Sequence, residues 1–528
     1  MTAALPAPRG TELARAYLPA EPGGPAEGVR RLLGRHAPLR EVRRRGPLLC
    51  VLGLQAVLTL LPRNTAFQDE ALYLYAGHRL IDLIRHGTPT YEVYSVYFSG
   101  APGLYPVAAA AVDSVGGLTA ARGLSLLFAL ATTALLYGTT RHLFDRRSAV
   151  VAAAIFAVTE PILFIGNLAT YDAAALMFCA LAAWLVVRRP GAFLPALPAA
   201  GALAIAFFLK YAAALYFPPV AAICLLVAVP VVGPLRAFLR AALLTAATAA
   251  PIGAILYGYS PLWTGLRVTT TEREPGSDPA ADVLVGAAQL VGLPVLIAAI
   301  GGVLYATGRV HLGRPLPAAP IRTLLALALI ATACAAPIQQ ATMHTAVSLH
   351  KHVGFGLWFA APLAGLALSG LLRAPTFRGL AAVLAICVAV AGTGIAQAGE
   401  RFRDWPNSTE MVEALRMQAR PITGRYLVEE SEVPRYYLRD LVEPYQWTGM
   451  YTFLYTDARG NDLSGLPAYR AALSERYFDV VVLRYGPSAQ LARQLDDLLA
   501  PEGGYELAAE FDATNRYGPG TWFVWVRR

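Results

Sequence analysis

The chain has 528 residues, of which 56% are hydrophobic and 15% charged, with a mean hydropathy of +0.47. Soluble domains carry roughly 25% charge, so an ordinary soluble protein is excluded. The net charge of +9 does not argue for nucleic acid as a partner, because the arginines lie between apolar runs and not in one basic patch, a distribution that belongs to membrane orientation.

Residues 1–45 are rich in Pro, Gly and Arg and close on Arg40, Arg43, Arg44 and Arg45, which reads as a disordered cytoplasmic tail. Residues 46–399 hold recurrent apolar runs, each of a length that crosses a hydrocarbon core of about 30 Å. Basic linkers at 141–147, 188–189, 236–240, 309–322 and 373–378 alternate with less cationic ones at 63–118, 167–172, 210–211, 259–282 and 339–352. Placing the basic set in the cytoplasm predicts a polytopic α-helical protein of about eleven transmembrane helices in the cell membrane. The N-terminus then lies inside and the chain beyond Glu400 outside. In the first outer loop, 63–118, a helix over 70–85 and a short apolar helix over 104–112 are expected along the membrane surface. From residue 400 to 528 helical and strand-like patterns alternate. A helix over 409–418, opened by Asn407 and Glu410 as a capping box, precedes strands at 425–428, 479–484, 505–511 and 521–526, which predicts a small extracytoplasmic α/β domain. The five cysteines all fall in apolar runs without metal-ligand or redox spacing, and read as buried small hydrophobes.

Chemistry-bearing residues gather at the linkers assigned to the outer face. Asp69 and Glu70 follow the first apolar run. Asp172 opens the fourth span, where a carboxylate costs about 2.5–3.5 kcal/mol at mid-bilayer and less near the surface. His350, Lys351 and His352 open the tenth span, where a cation opposes the helix dipole unless an anion is bound; two histidines at i and i+2 cannot share a helix face, so they do not form a metal pair. Lys210 ends the fifth span, and Arg273 lies in the next outer loop. Each also has a plain reading, as a helix cap for Asp172 and as interfacial anchors for the cations. Taken together, carboxylates and cations on one face suit transfer from a lipid-phosphate donor. Its leaving phosphate needs positive charge and no general acid, while an acceptor hydroxyl needs one positioned base.

The order Phe67-x-Asp69-Glu70, then Gly87-x-Pro89, then Pro102-Gly-Leu-Tyr105, with Ala121-Arg122-Gly-Leu-Ser125 and Tyr171-Asp172 further on, resembles the GT-C membrane glycosyltransferases. The match is to their protein-mannosyltransferase and aminoarabinose-transferase branch and runs over about 66–188. The resemblance implies inverting transfer of a sugar from a polyprenyl-phosphate donor to a cell-envelope acceptor on the outer face, with glycan, lipid or protein left open as the acceptor. It carries the base onto Asp69, with Glu70 and Asp172 as further acids. Lys351, His350, His352, Lys210 and Arg273 become candidates for the donor phosphate, and Tyr73, Tyr105 and Arg122 for the acceptor or interfacial loop. No metal ligand set is evident, although a divalent cation is left open as a cofactor. The competing reading is a polytopic transporter or lipid flippase with a charged outer cavity. Such proteins commonly show internal repeats and midplane charges, and no half-to-half repeat is visible here.

Overall fold

The computed structural model describes residues 37–60, 64–313, 315–372, 376–500 and 503–528. The tail expected to be disordered over 1–45 lies outside them over 1–36, and over 37–45 the chain is helical. The first helix, α1 (Ala37–Leu60), starts earlier than the Gly46 predicted from hydropathy. A helix needs no apolar side chains to extend past the bilayer, since its backbone is satisfied internally and Arg is a good helix former.

The first loop carries α2 (Gln68–His86), within two residues of expectation at its N-terminus and one at its C-terminus. The next element, α3 (Tyr105–Leu143), runs through both the short apolar segment and the second span, broken where Gly116 and Gly117 leave helical geometry. Gly117 has φ +65°, a conformation that side chains with a Cβ rarely adopt. The expected surface helix is therefore the first limb of α3. Then come α4 (Arg146–Ala157) and α5 (Glu160–Asn167), which meet at a 66° bend, α6 (Asp172–Arg188), α7 (Ala196–Leu209), α8 (Phe217–Val232) and α9 (Pro234–Gly258). A short α10 (Ser260–Leu266) leads to α11 (Ala280–Ala306), α12 (Ala319–Thr342), α13 (Leu349–Leu371) and α14 (Phe377–Arg401).

Among the described residues, seven helices are long and apolar enough to cross a membrane, or eight if the bent pair counts as one span. The figure of about eleven also takes α1, α6 and α7 as spans. The central element is α13, apolar on nearly all sides and enclosed by α4, α11 and α12, as a helix without a polar face must be. Of the cysteines only Cys179 and Cys224 are buried; Cys334 and Cys387 are intermediate and Cys50 is exposed. An apolar run in a bilayer satisfies its outward side chains with lipid, so apolarity did not imply protein burial.

Arg240 shows how the α6–α9 side is held. Its fully buried guanidinium donates to the carbonyls of Val186 at 2.7 Å, Ala192 at 2.8 Å and Cys224 at 3.0 Å. A cation at the C-terminal end of α6 answers both the orphan carbonyls and the helix dipole. Arg240→Ala is expected to cost about 2–4 kcal/mol, by loss of charged hydrogen bonds with the carbonyls left unsatisfied. A fall in the detergent-solution thermal midpoint checks this; an unchanged midpoint would show that the bonds add nothing.

Beyond residue 400, α15 (Thr409–Met417) precedes the strands β1 (Tyr426–Val428), β2 (Trp447–Thr448), β3 (Leu454–Thr456), β4 (Asp462–Ser464), β5 (Val480–Leu483), β6 (Tyr505–Asp512) and β7 (Thr521–Arg527). Five of them form one sheet in the order β2-β1-β5-β7-β6, and β3 pairs with β4 alone. β1 is parallel to β2 and β5, while β7 is antiparallel to β5 and β6. Alternating side chains sort to two faces: Val480, Val482, Trp522 and Val524 pack with Met411 and Leu415, and Val481, Leu483 and Trp525 with Tyr469 and Leu473. Asn407 does not form the expected capping box. Its Oδ1 accepts from the N–H of Thr409 at 3.1 Å, an Asx-turn that Asn offers as readily, and Ser408 stands at the cap.

A short helix after β1, α16 (Glu432–Tyr437), packs on α2. The N–H of Ala66 donates to the Tyr437 hydroxyl at 2.8 Å, Arg435 pairs with Glu92 at 2.9 Å, and the Tyr436 hydroxyl donates to Asp113 at 2.6 Å. The sheet region thereby fixes the loop that carries Asp69.

Candidate active site

Two carboxylates and two lysines from separate elements converge. Lys351 Nζ, in the first turn of α13, lies 2.5 Å from Asp69 Oδ2 in the first turn of α2. Lys210 Nζ, just past α7, lies 2.5 Å from Asp172 Oδ1 at the start of α6. The hydroxyl of Thr170 adds a 3.0 Å bond to Asp172 Oδ2. Each acid has a cation, which for Asp172 is the condition for its burial.

Local backbone explains where the lysines stand. Lys210 is extended between α7 and a 3-10 turn (Tyr211–Tyr216), and the first loop braces it on both sides. The N–H of Ala101 donates to the Phe208 carbonyl at 2.6 Å, and that of Tyr211 to the Ser99 carbonyl at 2.7 Å. Between them Gly100 lies against the Leu209 carbonyl, where a Cβ would collide. Lys351 is set by Ser348, whose φ of +60° turns the chain into α13. Tyr73 and Tyr171 form an adjoining wall, ring centroids 4.7 Å apart, with Lys210 Nζ 5.4 Å from the centre of the Tyr171 ring. Burial holds the Tyr73 phenol well above its ordinary range, and Tyr171, Asp69 and Asp172 add to the shift. It is a neutral hydroxyl, unsuited to act as a base.

Exposure separates the acids. The Asp69 side chain is 45% exposed, whereas Asp172 is at 1% and Glu70 at 0%. Asp69 is therefore the carboxylate that can meet a substrate, and Asp172 orients Lys210. Glu70, expected beside Asp69 as a catalytic acid, points the other way. It accepts from Arg122 Nε at 2.8 Å and Nη2 at 2.7 Å, and from the N–H groups of Phe67 at 3.0 Å and Ala169 at 2.7 Å. Successive helical residues diverge by about 100°, which is why neighbours in sequence serve different surroundings. Arg122 also donates to the carbonyls of Asn64 and Thr65, so it ties the loop down. Tyr105 is likewise buried, 2.7 Å from Ser125 Oγ.

A cavity of about 390 Å³ adjoins the cluster, and Lys210, Arg273 and His352 stand on its wall with Tyr171 and Ser348. His350 is elsewhere, its ring packed on Phe164 at 4.7 Å; the opposite placement of the two histidines follows from their i, i+2 spacing. Lys351 is buried against Asp69 and does not line this cavity. Sequence reasoning missed the polar wall formed by Thr269, Thr270, Gln339 and Gln340, since uncharged side chains in loops and helix ends give no distinctive signal. The cavity shares Phe207 and Ala214 with an apolar groove of about 650 Å³ between α7, α8 and α9. Among the described residues no three His, Cys, Asp or Glu side chains converge as a metal donor set. The two acids of the cluster are already matched by lysines, so the residues present do not fit a divalent cation.

Residues 109–257 match the family model for dolichyl-phosphate-mannose-protein mannosyltransferase. Comparison with curated proteins finds no match. Among solved structures, ArnT from Cupriavidus metallidurans in the apo state aligns with a TM-score of 0.59 at 13% identity, over 91% of this chain and 98% of that one. The same protein bound to undecaprenyl phosphate gives 0.57 over the same shares at 13% identity. The fold is that of the GT-C membrane glycosyltransferases. An oligosaccharyltransferase from Archaeoglobus fulgidus, in the apo form, shares it with a TM-score of 0.50 at 12% identity, over 83% of this chain and 69% of that one. The GT-C arrangement agrees with the polytopic helical region and the small C-terminal sheet region seen here.

Proposed function

We propose that the chain is an inverting glycosyltransferase that moves a sugar from a polyprenyl-phosphate donor to an acceptor hydroxyl on the outer membrane face, with Asp69 as general base. The observation that carries this reading is the exposure contrast: Asp69 is half-exposed, whereas Asp172 is buried on Lys210, which stands with Arg273 and His352 on a cavity wall. The donor phosphate lies in that cavity, and its apolar tail follows the groove past Phe207 and Ala214 toward lipid.

Asp69 takes the proton of the acceptor hydroxyl as its oxygen attacks the sugar C1 from the side opposite the phosphate. The C1–O bond breaks, its electron pair leaves with the polyprenyl phosphate, and the configuration at C1 inverts. The leaving group is already anionic and stable, so cations suffice and no second carboxyl group acts as an acid. One base is enough, unlike glycoside hydrolysis with its opposed carboxyl pair. Lys351 keeps Asp69 in place, and Asp172 keeps Lys210 aimed at the cavity.

Lys210→Ala is expected to lower transfer by about 10²–10³-fold, the scale of losing one preorganised charge contact at a reacting oxyanion. It should also weaken binding of polyprenyl phosphate itself. Transfer rates and lipid-phosphate affinity measured on the purified variant in nanodiscs check both, and full affinity in Lys210→Ala would remove Lys210 from the donor site.

A further inference from the structure

Away from the Asp69 cluster, a large cleft runs between the end of α14 and the loop 513–520 that joins β6 to β7. It consists of cavities of about 710 Å³ and 520 Å³ that share Trp405, Asn515 and Gly518. Their combined extent exceeds the 300–1,000 Å³ of typical small-molecule pockets and fits a chain of several linked units.

The wall chemistry selects the occupant. Every charged side chain lining the cleft has an opposite partner: Arg403 with Glu400 at 2.6 Å, Arg484 with Glu430 at 2.8 Å, and Arg516 with Asp404. An anionic headgroup would have to break these pairs, whereas a neutral ligand would not. Between them stand the amides of Asn64, Asn407 and Asn515, each hydrogen-bonded within the chain and each with a further N–H to donate, together with the buried ring of Trp405 and the ring of Tyr517, which is 76% exposed with Arg516 over one face. Amides and aromatic surface without net charge suit a polyhydroxylated, neutral ligand. An extended peptide would seek an open strand edge, but the cleft is bordered by the β6–β7 loop and a helix end.

We infer that this cleft binds neutral sugar residues of a glycan, and that the glycan is the acceptor. The second half of this statement rests on the glycosyl-transfer reading above. Asn64 lies on the wall and five residues before Asp69, at most about 18 Å by a fully extended chain, so a glycan seated here has its reacting end within reach of the base.

The test is a titration of the full-length protein in nanodiscs with mannotriose, maltotriose and an arabino-oligosaccharide, read by saturation-transfer NMR. Inorganic phosphate and phosphatidylglycerol vesicles form separate arms. Gly399→Trp fills the cleft from its helix wall, because a Cβ there meets nothing within 4 Å. At least one neutral oligosaccharide should bind saturably to the parent protein and to Asp69→Asn alike. Binding should fall at least tenfold in Gly399→Trp and several-fold in Tyr517→Ala, and persist in Tyr517→Phe. Should Gly399→Trp fail to fold, the exposed Tyr517 pair decides. No saturable binding of any neutral oligosaccharide overturns the inference, as does binding indifferent to both substitutions. Cleft-dependent binding of phosphate or anionic vesicles in their place does so too. Glycan binding that survives in Asp69→Asn while transfer is unaffected would refute the base assignment and leave the cleft standing.

Discussion

Asp69→Asn is expected to lower sugar transfer by about 10²–10⁴-fold, the contribution of a positioned general base, while donor affinity stays within a few-fold of the parent value. The amide keeps the shape of the carboxylate but cannot take the acceptor proton. Lys351 loses its close counter-charge, so a modest fall in thermal midpoint accompanies the change; Asp69 is half-exposed, and solvent softens that penalty. The informative pattern is chemistry lost with folding and donor binding kept. Lys351→Gln should act through the same carboxylate, with a smaller loss of transfer.

Glu70→Ala should do the reverse. It leaves the buried guanidinium of Arg122 and the N–H groups of Phe67 and Ala169 without their common acceptor. Removing one partner of a buried ion pair typically costs about 3–5 kcal/mol, enough to remove much of the folded protein from membranes. Glu70→Gln, which keeps the shape and some of the bonds, should cost less, and the molecules that fold should retain transfer within about tenfold. Pairing Glu70→Leu with Arg122→Met should recover part of the loss, because two apolar groups do not leave a charge stranded. Thermal midpoints and transfer per folded molecule, measured across the series, separate the two adjacent acids. If Glu70→Gln folds normally and is inactive, Glu70 belongs to the chemistry after all.

That opposition between Asp69 and Glu70 shows what the sequence could convey. Hydropathy and charge alternation located the apolar helices, α2 and four of the sheet strands within a few residues, because burial periodicity and linker charge are written locally. The convergence of residues 69, 172, 210 and 351 was legible only as a set of charges near one predicted surface. The pairing was not: Lys351 was expected on the donor phosphate and holds Asp69, while Lys210 holds Asp172 and still reaches the cavity. Arg122 and Tyr105 belonged to the motif order, yet they brace the loop, since a motif marks positions that matter without saying whether they touch substrate. The cleft between α14 and the β6–β7 loop left no trace in sequence, because Asn64, Trp405 and Asn515 come together only in the fold.

The central claim is transfer from a lipid-phosphate donor with Asp69 as base. Its most direct test follows labelled sugar from the polyprenyl-phosphate pool into cell-envelope glycan, in membranes containing the parent protein or Asp69→Asn at equal abundance. Label should leave the lipid pool and enter the envelope fraction with the parent protein, and stay in the lipid pool with Asp69→Asn. Equal movement of label in both, or no movement in either, would contradict it.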